Sequence, residues 1–160
     1  MKPAIVGISE YKIAEAPQQL ITYGLGSCVA IVLYCEKART GAMAHVMLPL
    51  AFNRDETDKP GKYADTAIVA MLGIFEERSI LPRDLSAKMA GGAGMFPGTY
   101  RGVSRRIGSR NALAARKTLS YYGVTLEAQD IGGNMGRTVE FQTDTGIFTV
   151  RTLRGATLTL

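Results

Sequence analysis

Two apolar runs joined by one short polar turn constrain this chain more than any other feature. Residues 28–34, CVAIVLY, are continuously apolar and rich in Val and Ile, the pattern of a strand buried on both faces. Residues 37–41 are polar and end in Gly41, which reads as a turn. Residues 41–48, GAMAHVML, then return as the hairpin partner and are closed by Pro49.

Other elements gather around this hairpin. Lys2–Ser9 and Gln19–Tyr23 read as strands, and Phe52–Lys62 as a charged loop. Tyr63–Arg78 reads as a helix: Ala67, Ile68, Met71, Leu72 and Phe75 recur at helical spacing, Asp65 suits the first turn and Pro82 ends it. Leu85–Ala90 reads as a core strand that runs into the glycine-rich stretch Gly91-Gly92-Ala93-Gly94-Met95-Phe96. A second helix is expected over about Ser109–Tyr122, stopped by Gly123. Val124–Asp130 reads as a strand, Gly132-Gly133-Asn134 as a loop, and Arg137–Gln142 with Ile147–Leu153 as a hairpin. About eight strands and two helices result, without strict alternation. The expected class is α+β, a mixed sheet or sandwich with helices packed on one side.

At 160 residues the chain is expected to form one domain over residues 1–160. It is 46% hydrophobic and 21% charged, which excludes a wholly disordered polymer. Its longest apolar runs fall far short of the roughly 20 residues a spanning helix needs, and the stretch 4–8 is too short for a signal peptide. Cys28 and Cys35 bracket a strand-like run, and seven steps of about 3.3 Å hold them too far apart for a disulfide. The expectation is a cytoplasmic protein with reduced thiols. The net charge of +5 permits an acidic partner without choosing one.

The chain's one histidine, His45, sits mid-strand, where a polar group must find a partner. An imidazole there is either structural or a general acid/base. Cys28 follows Gly24-Leu25-Gly26-Ser27. A buried cysteine in a strand is ordinary, but glycines and a serine just before it allow a tight turn whose amides can hold an oxyanion. With the hairpin centred near residue 38, Cys28 would face position 47 or 48, and a small offset or a bulge would bring His45 beside it. Thr22, Ser27 and Asn134 are the polar candidates to orient the imidazole. Gly91, Gly92, Gly133 and Asn134 belong to loops expected to wall a substrate cleft. Neither loop matches a nucleotide-binding fingerprint, and one His with two distant Cys makes no metal site. Between Asp84 and Glu127 there is no acidic residue, while Arg101, Arg105, Arg106 and Arg110 fall in that stretch. It is either a solvated face or a docking surface for an acidic partner. Aromatics do not interleave with these cations as a nucleic-acid platform requires.

These residues resemble a known family. Thr22-Tyr23-Gly24-Leu25-Gly26-Ser27-Cys28-Val29-Ala30, followed by Gly41-Ala42-Met43-Ala44-His45-Val46-Met47-Leu48-Pro49, is similar to the signature of CheD, the chemoreceptor glutamine deamidases. Lys62-Tyr63-Ala64-Asp65, Gly91-Gly92-Ala93, Ile107-Gly108, Arg110-Asn111 and Gly132-Gly133-Asn134 extend the resemblance to about residues 4–152. Cys35 departs from it, at a position where an acidic residue is expected. The resemblance implies a fold similar to deamidating toxins such as cytotoxic necrotizing factor. It implies hydrolysis of selected glutamine side chains on chemoreceptor cytoplasmic helices, with Cys28, His45 and Thr22 as the catalytic set and no cofactor. In the mechanism expected from it, His45 keeps Cys28 ionised as a thiolate. The resemblance also implies a CheC-type phosphatase as partner, a location at chemoreceptor clusters, and a receptor methylesterase side activity. The alternative reading is a mainly non-catalytic regulator of CheC. Cysteine protease and acyl-transfer chemistry would suit the same Cys–His couple, and only the resemblance favours a glutamine amide.

Overall fold

The structure, a computed structural model, describes residues 1–53, 58–94 and 99–160, the side chains of 99–105 excepted. Ten strands, β1 (Ala4–Ile5), β2 (Tyr11–Glu15), β3 (Gln19–Leu25), β4 (Val29–Cys35), β5 (Thr40–Val46), β6 (Ser86–Gly91), β7 (Thr125–Ile131), β8 (Arg137–Gln142), β9 (Phe148–Thr152) and β10 (Thr157–Thr159), accompany two α-helices, α1 (Ala64–Glu77) and α2 (Thr99–Tyr121), among the described residues. The strands form two five-stranded sheets, ordered β1-β3-β8-β9-β10 and β2-β5-β4-β6-β7. Each sheet is mixed: β1 runs parallel to β3 and β6 parallel to β7, and the other pairs are antiparallel. The β6–β7 pair needs a crossover, and α2 is that crossover. The class is α+β.

The continuous apolar run of β4 follows from its place in the middle layer. Val29, Ile31, Leu33 and Cys35 join Ala67, Ile68, Met71 and Phe75 of α1 and Ala112, Ala115 and Leu119 of α2 in one apolar cluster. Ala30, Val32 and Tyr34 join Leu20, Leu25, Val139, Phe141, Phe148 and Val150 of the other sheet in a second. Alternate residues of one strand therefore face helices and sheet, so both faces must be apolar. The order is helices, sheet, sheet, with both helices on one side, as expected.

The β4–β5 hairpin pairs without a bulge, from Cys35 with Thr40 to Val29 with Val46. β5 leaves the sheet at Val46 and is tied at once to the start of α1. Leu48 O accepts the amide of Ala64 at 2.9 Å, and Asp65 Oδ1 accepts the amides of Thr66 at 2.8 Å and Ala51 at 3.1 Å. Asp65 in the first turn also suits the helix dipole.

Several boundaries differ from the expected ones. The first strand is only Ala4–Ile5, and a separate strand, β2, pairs with the edge of β5. The short YKIAE of β2 alternates too weakly to announce itself. β10 is likewise a short exposed edge. Helix α2 starts at Thr99, ten residues before the expected Ser109. Gly102, Ser104 and Gly108 dilute the helical pattern there, and Gly108 has a packing reason: a Cβ on it would lie 2.4 Å from Gly92 O.

Phe75 is buried without exposure in the helix-side cluster, whereas Val69 on the same helix is exposed. Phe75→Ala is expected to cost about 3–5 kcal/mol and to lower the Tm by roughly 10 °C. Val69→Ala should stay within about 0.5 kcal/mol. Thermal or urea unfolding of the two variants checks this.

Candidate active site

Thr22 stands on β3 and His45 on β5, so they belong to different sheets that face each other. Both are fully buried. Thr22 Oγ1 lies 2.7 Å from His45 Nδ1 and 2.6 Å from Val6 O. A hydroxyl carries one proton, and a carbonyl oxygen can only accept. The Thr22 proton therefore goes to Val6 O, and the hydroxyl accepts from Nδ1–H of His45. This assigns the tautomer: Nδ1 is protonated and Nε2 carries the lone pair. Nε2 is buried and has no hydrogen-bond partner among the described residues. The imidazole is thus held by Thr22, and by neither Ser27 nor Asn134.

The main chain of His45 is fixed on both sides. It sits opposite Ala30 of β4, its N–H donates to Glu10 O at 3.0 Å, and its carbonyl accepts from Ser9 N–H at 2.9 Å. Cys28 lies one residue before β4 and packs against the inter-sheet cluster. Its side chain shares a face with Ala30 and hence with His45, two positions along. The register carries on to Met47 opposite Cys28, as the hairpin spacing predicts, and shows neither the offset nor the bulge expected to bring His45 closer: Cys28 is the diagonal neighbour of His45. Such neighbours have Cα atoms roughly 7–8 Å apart, within joint reach of a thiol and an imidazole.

The turn before Cys28 is anchored through its carbonyls. Gly26 O accepts from Ala93 N–H at 2.8 Å, Ser27 O from Asn111 Nδ2 at 2.9 Å, and Cys28 O from Gly92 N–H at 2.9 Å. The amides of Ser27 and Cys28 find no main-chain acceptor among the described residues. Donors with their own carbonyls pinned are what an oxyanion site needs. Gly91 is required for this approach: its φ is +123°, and a Cβ would lie 2.2 Å from Cys28 O.

The glycine loops are drawn together by Arg137 of β8. This buried side chain bonds Asp130 Oδ2 at 2.9 Å, Gly132 O at 2.9 Å and Gly91 O at 3.3 Å. Gly133 joins them through its carbonyl, which accepts Gly94 N–H at 3.0 Å. Asn134 is exposed and makes none of these contacts. Arg106 and Arg110 are exposed on α2, while the side chains of Arg101 and Arg105 lie outside the described residues, as do Met95 and Phe96. Cys35 is buried on the helix side of β4, on the opposite face from Cys28. Sequence reasoning assigned no role to Val6, Asn111 or Arg137. Val6 acts through its main chain and leaves no sequence signal. Asn111 is a polar residue in the buried stripe with Ala112, Ala115 and Leu119, which is a signal.

Burial pushes the Cys28 thiol up, partly offset by a hydrogen bond from its own amide, and lowers His45 to about 4. Near neutral pH the pair is a thiol and a neutral imidazole. Both shifts favour the uncharged pair over the standing thiolate expected from the sequence.

Residues 47–152, about two thirds of the chain, match the family described as CheD chemotactic sensory transduction. The probable chemoreceptor glutamine deamidase CheD of Desulforamulus reducens is 42% identical over 148 residues, 92% of this chain and 89% of that one. This chain belongs to the CheD family. The chemoreceptor glutamine deamidase CheD of Thermotoga maritima is 44% identical over 94% of this chain and 92% of its own. That of Bacillus licheniformis is 39% identical over 156 residues, 97% of this chain and 93% of its own. The family match begins two residues after His45, but an alignment of 156 of 160 residues necessarily spans Thr22, Cys28 and His45. The Bacillus licheniformis hypothetical protein YfiH, a solved structure, covers 75% of this chain and 49% of that chain at TM-score 0.48 and 12% identity, too slight a likeness to carry an argument. Among the described residues no helix of this CheD chain is long and apolar enough to cross a membrane.

The lowered His45 carries a stability consequence. Between about pH 6.5 and pH 4 the unfolded chain binds a proton at this histidine that the folded chain does not. Stability from this group is therefore complete above pH 6.5 and lost as pH falls, by about 3 kcal/mol at pH 4. Urea unfolding of wild type and His45→Gln across pH 4–7 should show a difference in stability that narrows by that amount on acidification. A constant difference would contradict the burial effect.

Proposed function

We propose that this CheD chain, acting as one domain over residues 1–160, deamidates selected glutamine side chains of chemoreceptor cytoplasmic helices. Cys28 is the nucleophile, His45 the general acid/base and Thr22 the group that orients it. The observation that carries this reading is the Val6–Thr22–His45 relay, which leaves the Nε2 lone pair unpartnered among the described residues, on the face shared with Cys28. The family supplies the substrate class: its named relatives are chemoreceptor glutamine deamidases.

The reaction runs in two halves. Cys28 Sγ attacks the carboxamide carbon as its proton passes to His45 Nε2. The amides of Ser27 and Cys28 hold the oxyanion; one donor of this kind contributes about 3–4 kcal/mol in measured cases. Nε2–H then protonates the leaving nitrogen, the C–N bond breaks and ammonia departs. Water attacks the thioester carbon, Nε2 takes its proton, the C–S bond breaks and the sulfur is reprotonated. The sum is glutamine plus water giving glutamate plus ammonia, and no external group enters. The Thr22 hydroxyl supports the imidazolium of each step by accepting from Nδ1–H. The same attack on an ester carbonyl would account for a methylesterase side activity.

Docking is assigned to the outer face of α2. Arg106, Arg110, Leu113, Lys117 and Tyr121 fall on one helical stripe and are exposed. Arg110, Leu113 and Lys117 line a groove of about 590 Å³ shared with Pro49 and Leu50, just beyond the end of β5. Basic residues around an apolar floor suit an amphipathic helix with acidic flanks. A receptor helix fits that description, which would place the protein at receptor clusters; a CheC-type phosphatase is a second proposed partner.

Mass spectrometry of a folded receptor fragment tests the chemistry. Wild type should convert specific glutamines to glutamate and Cys28→Ala should not. Conversion by both would remove Cys28 from the mechanism. Conversion by neither would favour a regulator of CheC.

The docking face has its own test. Arg106→Glu combined with Arg110→Glu should raise KM about tenfold, leave kcat within twofold and flatten the salt dependence of KM. Unchanged KM would place docking elsewhere.

A further inference from the structure

Asn111 is fully buried on α2. Its Nδ2 donates to Ser27 O at 2.9 Å and Met47 O at 3.0 Å. Two carbonyl partners on one atom fix the amide orientation, because only the NH2 end can donate to both. Oδ1 is left without a partner among the described residues. A buried amide kept half-satisfied is costly, so its retained half must matter.

Those two carbonyls mark where the central hairpin comes apart. The β4–β5 ladder ends at Val29 with Val46. The next rung would join Cys28 to Met47, but Met47 N–H turns away to Lys62 O at 2.8 Å. Ser27 precedes the nucleophile, and Met47 lies two residues after His45. Beyond the last rung, the Asn111 amide bridges the two strand ends in place of the ladder.

We propose that Asn111 is a positioning residue that sets the distance between Cys28 and His45. It acts through the main chain of the segments carrying them and touches neither substrate nor reacting atom. The inference rests on the reading of Cys28 and His45 as the reacting pair. Without this bridge the Cys28 turn is free to drift from the imidazole, and displacement of about 1 Å in such a pair can cost 100-fold in rate.

The test uses full-length protein carrying Asn111→Ala, isosteric Asn111→Asp, and Leu119→Ala as a control. Leu119 is buried about two turns further along the same helix. Two readouts are taken. One is kcat and KM for glutamine conversion. The other is the pH profile of Cys28 alkylation by iodoacetamide, localised by mass spectrometry, which needs no substrate. Both Asn111 variants should lose about 100-fold in kcat with KM within twofold, and their alkylation profiles should move away from wild type. Leu119→Ala should lower the Tm while leaving kcat and the profile unchanged. Wild-type kcat and profile in Asn111→Ala would overturn the proposal. So would an equal loss of kcat in Leu119→Ala, since packing alone would then explain it. If Asn111→Ala does not fold, Asn111→Asp decides by the same criteria. If wild type converts no glutamine, the deamidase reading fails and the alkylation profile alone decides the role of Asn111.

Discussion

An imidazole on the inner face of β5, with no solvent exposure, must be paired within the protein or leave polar atoms stranded at a cost of a few kcal/mol. His45 is paired by Thr22, and Thr22 belongs to the other sheet. The contact therefore depends on how the sheets pack, and the packing depends on the cluster built from Leu20, Val32, Phe141 and Phe148. Val6 completes it: its carbonyl takes the one proton the hydroxyl has, which leaves the hydroxyl as acceptor for Nδ1–H. A hydrogen bond between layers thus decides which imidazole nitrogen can act as a base. A shift of β3 by one residue would turn Thr22 to the other face and remove that decision.

The acid–base state of the pair follows from the same burial. An ion pair of thiolate and imidazolium would have to overcome two desolvation penalties at once. Among the described residues no flanking charge offsets them: the influences on Cys28 are burial and its own amide, and for His45 burial alone. Burial therefore favours the neutral pair. In the proposed reaction, proton transfer must then accompany attack, which demands close control of the distance between sulfur and nitrogen. The anchoring of Gly26, Ser27 and Cys28 through their carbonyls provides that control.

The layered α+β class, and the placing of Cys28 just before β4 and of His45 on the neighbouring β5, were legible because they rest on local pattern. The run 28–34 and its partner 41–48 announce a hairpin buried on both faces, and glycines before Cys28 announce a turn. The third partner was open among Thr22, Ser27 and Asn134 until the resemblance favoured Thr22, because the choice depends on which sheet lies over β5. Val6 and Asn111 contribute a carbonyl and a bridge between strand ends, neither of which has a spacing to recognise. The N-terminal half of α2 was obscured by Gly108, whose missing side chain reports contact with Gly92 and not a weak helix. Local rules failed where a distant segment had the deciding vote.

The division of burial between the two residues bears on selectivity. His45 has no exposure, while Cys28 is only partly covered. In the proposed reaction the substrate therefore arrives from the cysteine side, at the rim where the Ser27 and Cys28 amides stand without main-chain partners among the described residues. A neutral thiol there is a weaker target for adventitious electrophiles and oxidants than a standing thiolate would be. On the proposed mechanism, only a carbonyl that reaches the Ser27 and Cys28 amides while its leaving group faces Nε2 gains the proton transfers that make attack productive. The fold thus trades intrinsic thiol reactivity for a geometric requirement, and the narrowness of that requirement is set by hydrogen bonds from three layers: β3, the Gly91–Gly92 loop and α2.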